Sequence, residues 1–215
     1  MRLHIKDFVK IVSESLPIIE PIYEFGSLQV PGQEGFADLR PFFPGKEYVG
    51  CDMVEGLGVD SILDIHDIDL PSKSVGTVII MDTLEHVEYF REAMNEVHRI
   101  LKPKGIVIVS SVMNFHIHNY PHDYWRFTPK GLSSILGIFP TSFVDFAGEE
   151  RFPHTVIGIG FKTLVTDSMD EFRRRIYLWR VQYTESSRRR NWRDFVKLFI
   201  PPVILNLYRK IIGWC

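Results

Sequence analysis

Residues 75–81 read VGTVIIM, an apolar run with almost no polar interruption, and the chain then changes to DTLEHV and a helical spacing of apolar residues. A strand with one wet face alternates apolar and polar residues; a strand apolar on both faces has to be covered on both. The run therefore predicts the interior of a parallel sheet with helices on either side. Its flanks agree. Pro21 to Phe25, Tyr48 to Cys51, Ser61 to Ile65 and Ile106 to Val109 are short apolar segments. The first three end in turns that carry glycine or acids: Glu24-Phe25-Gly26-Ser27, Cys51-Asp52 and His66-Asp67-Ile68. In an open parallel sheet such turns gather along one edge, at the carboxyl ends of the strands, and ligands bind there.

The residue types at that edge point to a nucleoside. A glycine after the first strand lets backbone approach a ligand, although a plain turn carries the same signal. Glu24 is suited to accept from an ammonium or hydroxyl group. An acid at the tip of the second strand, here Asp52, is placed to take the two hydroxyls of a ribose. A carboxylate beside an apolar residue, Asp67-Ile68, suits an adenine amino group and ring face. A nicotinamide-dependent oxidoreductase shares the sheet and the ribose acid, but no G-x-G-x-x-G run follows the first strand.

The remaining elements follow from spacing and punctuation. Leu3 to Leu16 has helical periodicity and stops at Pro17; it is either a brace packed on the sheet or a lid over the ligand edge. Phe36 to Phe43 reads as a short helix between two Pro/Gly loops. Phe90, Ala93, Met94, Val97, Ile100 and Leu101 share a helix face that ends at Lys102-Pro103-Lys104-Gly105. Thr128-Pro129 opens a helix through Leu136 as cap and first residue. Thr141 to Gly148 and Thr155 to Lys162 look like a closing antiparallel pair.

The order EFGS, GCD, HDIDLP, a strand into LEHV, and a helix into RILKPKGIVIVS resembles class I S-adenosylmethionine-dependent methyltransferases of the type 11 family, over roughly Ile18 to Leu136. The resemblance implies an α/β, Rossmann-like, mostly parallel sheet of seven strands in the order 3-2-1-4-5-7-6, with helices on both faces. It implies S-adenosyl-L-methionine as cofactor. Glu24, Gly26 and Ser27 would hold its methionine part, Asp52 and Met53 its ribose, and Asp67 and Ile68 its adenine, with Asp82 and Thr83 beside the sulfonium. One position departs: the family's first loop carries glycines at alternate positions, and here the second is Leu28. A loop taking another path, helped by Gly32 and Gly35, is one account. A catalytically silent binding or assembly module is the other.

After the fifth strand comes MNFHIHNYPHDYWRFTP, dense in aromatic and titratable groups. His116, His118 and His122 are candidate general bases or acceptor contacts, since a histidine near neutrality can take an acceptor's proton. His86, Tyr120, Tyr124, Trp125 and Arg126 are candidate acceptor contacts. A structural reading stands beside this one: Tyr124, Trp125 and Phe127 pin the loop, and Arg126 pairs with an acid beneath it. His86 serves equally well as a brace at the helix start. A metal on His116, His118 and His122 lacks a cysteine or a helical histidine pair, and none is expected. The acceptor expected is a small molecule or glycan precursor, methylated on oxygen or nitrogen.

Charge divides the chain. The net charge of −2 argues against a nucleic-acid partner, yet Arg173 to Lys210 holds eleven Arg/Lys against Glu185 and Asp194. The expected division is a domain over 1–165 and a basic amphipathic helical tail over 166–215, with Arg188-Arg189-Arg190 as a hinge. The tail end, NWRDFVKLFIPPVILNLYRKIIGWC, is apolar, aromatic and basic, but its uncharged run is too short to span a bilayer. It suits a membrane interface, with Trp192 and Trp214 at headgroup depth, or docking on the domain or on a second copy in a homodimer. The polar N-terminus MRLHIKDFVK is unlike a secretory signal, and Cys51 and Cys215 are not expected to form a framework disulfide. The expected location is cytoplasmic, with peripheral contact at the inner membrane face.

Overall fold

The computed structural model describes residues 2–32, 34–118, 122–165 and 169–198, with side chains of the last helix to residue 184. Seven strands form one sheet: β1 (Ile22–Phe25), β2 (Tyr48–Asp52), β3 (Ser61–Ile62), β4 (Val75–Met81), β5 (Leu101–Val112), β6 (Thr141–Glu149) and β7 (Phe152–Phe161). Their order is β3-β2-β1-β4-β5-β7-β6. Pairing is parallel from β3 to β5, and β7 is antiparallel to both β5 and β6. This is the Rossmann-like sheet expected from the sequence.

β4 is buried at all seven positions, as its unbroken apolar run requires. Alternate residues feed two cores. Val78 and Ile80 pack with Val107 and Val109 of β5 under α2 (Phe90–Ile100) and α3 (Pro129–Ile135). Ile79 and Met81 pack with Ile106 and Ile108 under α1 (Leu3–Ser15) and α4 (Asp170–Leu198). Thr128 caps α3, its hydroxyl accepting from the Gly131 amide at 2.9 Å, with Pro129 in the first turn.

Several boundaries differ from the sequence reading, each for a local reason. The Phe36–Phe43 helix is a single 3-10 turn, Arg40–Phe42, because prolines at 41 and 44 remove donors that a longer helix needs. Only Ser61 and Ile62 of the third strand pair; Asp64 then turns the chain, accepting from the His66 amide at 2.8 Å. β5 begins at Leu101 rather than Ile106, with Lys104 in the left-handed region (φ 65°) where its register to β4 shifts. No hinge interrupts the last helix at Arg188-Arg189-Arg190: α4 is continuous to Leu198. Nor does a separate tail begin at 166, since Phe172, Ile176 and Trp179 of α4 are core residues. Each such side chain stabilises the fold by about 1.5–3 kcal/mol. The tail's Pro201-Pro202 and Trp214 lie outside the described residues, as does the side chain of Trp192. Among the described residues no helix is long and apolar enough to cross a membrane.

Among the described residues, the connections from β1 to β4 carry no α-helix. α1 takes that place, burying Ile5, Phe8, Val9 and Val12 against the sheet. The brace reading of α1 holds, and its first turn also reaches the ligand edge, as follows.

Candidate active site

The carboxyl ends of β1, β2 and β4 lie side by side, because Phe25 is in register with Cys51 on one side and Ile80 on the other. Gly26 continues β1 into a turn at φ +84°, and the amides of Gly26 and Ser27 both donate to the Cys51 carbonyl, at 2.9 and 3.1 Å. A Cβ on Gly26 would lie 2.2 Å from Thr83 Oγ1, so the backbone comes close to Thr83. Thr83 Oγ1 in turn donates toward the Phe25 and Met81 carbonyls, at 3.3 and 3.1 Å, tying β1 to β4 at this edge. Ser27 is buried and its hydroxyl donates to the Cys51 carbonyl at 3.2 Å.

Asp52 stands at the tip of β2. One carboxylate oxygen accepts from the Leu28 amide at 3.3 Å and the other from the Val54 amide at 3.2 Å. Both bonds are long, and each oxygen keeps a lone pair for a further donor. Leu28 is turned toward the loop after β2: its Cδ1 would be 2.4 Å from a Cβ on Gly56. Its side chain therefore shares the edge with Asp52. Met53 is 61% exposed and Ile62, at the end of β3, is 60% exposed. Asp67 is exposed, and its amide donates to the Asp64 carbonyl at 3.2 Å.

Three expected cofactor residues do not present the groups expected of them. Glu24 lies inside the sheet, accepting from the Tyr48 hydroxyl at 2.6 Å; burial pushes its carboxyl up to about 7, against the opposing pull of that bond and of Arg40. Ile68 is in the core under α2, its carbonyl held by Arg99 at 2.7 Å, so its side chain offers no face to a ring. Asp82 sits in the left-handed region at φ 50° with its carboxylate occupied. Arg2 grips both oxygens, at 3.0 and 3.3 Å, and the Ser110 hydroxyl donates to one at 2.8 Å. Burial alone would raise Asp82; the Arg2 charge and these bonds overcome it and hold the carboxyl below its ordinary value.

The loop after β5 is fastened to the turn after β4. The Tyr124 and Trp125 amides donate to the Glu85 carbonyl at 2.8 and 3.1 Å. Trp125 Nε1 donates to the Val87 and Glu88 carbonyls, both at 3.1 Å, and its ring meets Phe90 edge-on. Arg126 pairs with Asp123 at 2.5 and 2.7 Å and also donates to the Phe115 and His116 carbonyls. The Arg126 bond first, and its charge with it, holds Asp123 far below the usual carboxylate range. The pinning roles of Trp125, Arg126 and Phe127 are therefore present, with Asp123 as the acid beneath Arg126. Tyr124 and Trp125 keep about two-fifths of their surface exposed, open to a further partner. Tyr120 lies outside the described residues.

The histidines divide. His86 and His118 face each other edge-on with ring centroids 4.8 Å apart. Burial holds His86 below its ordinary value, partly offset by the bond from Nδ1 to the His122 carbonyl at 2.5 Å. His116 is exposed and stacked on Phe115, with its ring edge-on to His118 at 6.0 Å, and His122 is exposed beside Tyr124. Beneath His86 lies Glu85, completely buried, which sequence reasoning passed over. Ser111 donates to its Oε2 at 2.6 Å, and Oε1 has no hydrogen-bond partner among the described residues. The acid's position directly after a buried strand was the available signal.

An acid at the tip of β2, a glycine turn on β1 and a polar cluster after β4 thus share one edge of a 3-2-1-4-5-7-6 sheet. The methyltransferase-domain family model matches residues 43–109, from the approach to β2 through the middle of β5. Over that stretch the chain is similar to the class I S-adenosylmethionine-dependent methyltransferases of the type 11 family, as its sequence resemblance implied. The chain is 25% identical over 127 residues to the ubiquinone/menaquinone biosynthesis C-methyltransferase UbiE of Geotalea daltonii, covering 55% of this chain. The chain spans about half the length of that curated relative (54%). Among solved structures, the fold matches that of the 1,6-didemethyltoxoflavin-N1-methyltransferase of Burkholderia thailandensis with a TM-score of 0.58 at 14% identity, covering 75% of this chain and 79% of that one. It matches a possible histamine N-methyltransferase of Thermotoga maritima with a TM-score of 0.54 at 17% identity, covering 74% and 89%. It also matches the complex of the Haloferax volcanii Trm112 methyltransferase activator and a putative methyltransferase, with a TM-score of 0.55 at 15% identity, covering 75% and 91%.

The family's cofactor is S-adenosyl-L-methionine. The donor chemistry of this edge fits it. Asp52 has an unspent lone pair on each oxygen for a diol, and Gly26 leaves exposed backbone beside it.

Proposed function

We propose that the protein is a methyltransferase that moves a methyl group from S-adenosyl-L-methionine to an oxygen or nitrogen of a small molecule or glycan precursor. The single observation that supports this most is the meeting of Gly26, Asp52 and Thr83 with the Glu85–His86–His118 cluster along one sheet edge. Bound there, the cofactor supplies a methyl group already activated by the sulfonium. The work left to the chain is to hold and align. Asp52 accepts from the ribose hydroxyls. The turn at Gly26 and Ser27 lies against the methionine part, and Met53 and Ile62 give apolar cover at the adenine end. Asp67, exposed at that end, takes the adenine amino group.

The acceptor lies between the turn after β4 and the pinned loop, against Tyr124 and Trp125. A fastened loop is what alignment of nucleophile and methyl carbon requires, because rate comes largely from holding the two in line. His86, its Nδ1 committed to the His122 carbonyl, stands in the polar wall on the acceptor's side. His118, Nδ1 beside the His116 carbonyl, completes the polar wall.

Calorimetric titration with S-adenosyl-L-methionine and S-adenosylhomocysteine tests the reading: heat with both is expected. The second reading, a silent binding module, is favoured by the Leu28 side chain beside Asp52, and absence of heat with either compound would establish it. We also propose that the tail beyond residue 198 lies on anionic membrane surfaces. Full-length protein should sediment with vesicles containing phosphatidylserine, and protein ending at residue 198 should stay in solution; equal behaviour would exclude the tail.

A further inference from the structure

We propose that Glu85, His86 and His118 form a site for one divalent transition-metal ion, of the class of Zn²⁺, Mn²⁺ or Co²⁺. One ligand atom from each of the three lies within 4.8 Å of the other two. Two imidazoles and a carboxylate are a donor set that borderline divalent ions favour, and three protein ligands leave a position open.

Three further observations point the same way. The first is Glu85 Oε1, which is the one buried side-chain polar atom without a hydrogen-bond partner among the described residues. A buried carboxylate oxygen left unsatisfied costs about 1–3 kcal/mol or more. Oε2 already receives the Ser111 hydroxyl at 2.6 Å, so Oε1 is the oxygen left for a ligand. A cation repairs it directly.

The second is the outward bonding of the two rings. His86 Nδ1 donates to the His122 carbonyl at 2.5 Å. His118 Nδ1 lies 3.2 Å from the His116 carbonyl and 3.3 Å from Asp123 Oδ2. Metal-ligating histidines have this pattern: one nitrogen is tied to a carbonyl or carboxylate, which fixes the tautomer and frees the other for the ion. Here both rings have Nδ1 tied, and among the described residues neither Nε2 has a hydrogen-bond partner. Asp123 is itself buried and fastened by Arg126 at 2.5 and 2.7 Å, so this supporting acid is held in place and the arginine's charge is neutralised.

The third is how the cluster is assembled. The loop bearing His118 is tied to the turn bearing Glu85 and His86 through the Tyr124 and Trp125 amides on the Glu85 carbonyl. The same residue thus supplies a ligand and anchors the loop that supplies another. Metal–ligand bonds of about 2.0–2.1 Å in a tetrahedral site place ligand atoms about 3.3 Å apart. Closure from the present spacing needs a movement on the order of 1 Å, within reach of a partly exposed ring on a loop.

The site is tested on full-length protein stripped with chelator, without cofactor or acceptor, so that it stands apart from methyl transfer. Titration with Co²⁺, read by visible absorption and calorimetry, should show one saturable equivalent that Zn²⁺ displaces. Glu85→Gln, His86→Asn and His118→Asn should each weaken it by at least about tenfold, the lower end of what loss of even an outer partner costs a metal site. His98→Asn, against Lys162 on the far side of α2, should leave it unchanged. If Glu85→Gln does not fold, His118→Asn, on the surface loop, decides alone. Lack of saturable uptake, or uptake indifferent to His118→Asn, overturns the site. S-adenosylhomocysteine titration of the same samples reports separately on the methyltransferase reading.

Discussion

Gly26→Ala should be among the most damaging single-methyl changes in this protein, and its cost should depend on Thr83. Two terms contribute. At φ +84° an alanine occupies the left-handed region, at about 1–2 kcal/mol. Its Cβ would also stand 2.2 Å from Thr83 Oγ1 and 2.9 Å from Thr83 Cγ2. Thr83 must then rotate, giving up its bonds to the Phe25 and Met81 carbonyls, a net loss of about 1 kcal/mol. The sum is about 3 kcal/mol. In a Thr83→Ala background the obstructing Oγ1 and Cγ2 are gone, leaving only Thr83 Cβ at 3.1 Å, so Gly26→Ala should cost only the backbone term. Equilibrium urea unfolding of the four proteins should give a coupling of about 1–2 kcal/mol, well above the few tenths expected of independent sites. S-adenosylhomocysteine affinity should follow the same cycle, falling with Gly26→Ala and recovering in part with Thr83→Ala. Equal cost of Gly26→Ala in both backgrounds would refute the steric account.

Asp52→Ala should weaken cofactor binding by roughly 1.5–3 kcal/mol, the scale of hydrogen bonds to a charged group, measured by calorimetry; unchanged affinity removes Asp52 from the site. Glu24 carries a pH signature: its folded value of about 7 lies above the ordinary 4.5, so the folded state holds the extra proton between them. The stability this confers is full below about pH 4.5 and is lost as pH rises through about 7, by about 3 kcal/mol. Glu24→Gln should narrow the gap between urea midpoints at pH 5 and pH 8, and an unaltered gap counts against the buried acid. Arg2→Ala leaves the Asp82 carboxylate with Ser110 alone, and should destabilise by about 2 kcal/mol, less than a fully buried pair because both groups keep some exposure. Thermal unfolding checks it, with Asp82→Asn expected to lessen the effect.

What could be read from the sequence was local. The unbroken run at Val75–Met81 announced a strand covered on both faces, and it is buried throughout. Thr128-Pro129 announced a cap, and the cap bond is made. The position of Asp52 at a strand tip was legible, since β2 ends there. Glu24 and Ile68 were misjudged because adjacency to a strand end does not say which side of the sheet a side chain takes. Glu24 follows Ile22 inward, and Ile68 goes beneath α2. The rest depends on partners distant in the chain. Arg2 reaches Asp82 across 80 residues, and Ser111 comes to Glu85 from the neighbouring strand. No periodicity encodes such pairs. For the same reason nothing in MNFHIH told that His118 would meet His86, from the turn after β4, while His116 stacks on Phe115.

The edge that carries the site is held from both sides rather than by helices that follow each strand. On one side α1 stands in for the helices that the β1–β4 connections do not form. At its N-terminus Arg2 grips Asp82 and lies 5.3 Å from the Phe115 ring. On the other, the loop after β5 hangs from the Glu85 carbonyl and from Trp125. Both holds converge on the turn after β4, whose residues 82–86 therefore answer to the N-terminus, to β5 and to the loop at once. A residue held from three directions cannot relax when one hold is cut. Substitutions at Arg2, Ser111 or Asp123 should therefore disturb the geometry of Glu85, His86 and His118 although none of the three substituted residues belongs to that cluster, whereas substitutions in the exposed loop at Met53 or Val54 should leave it as it is.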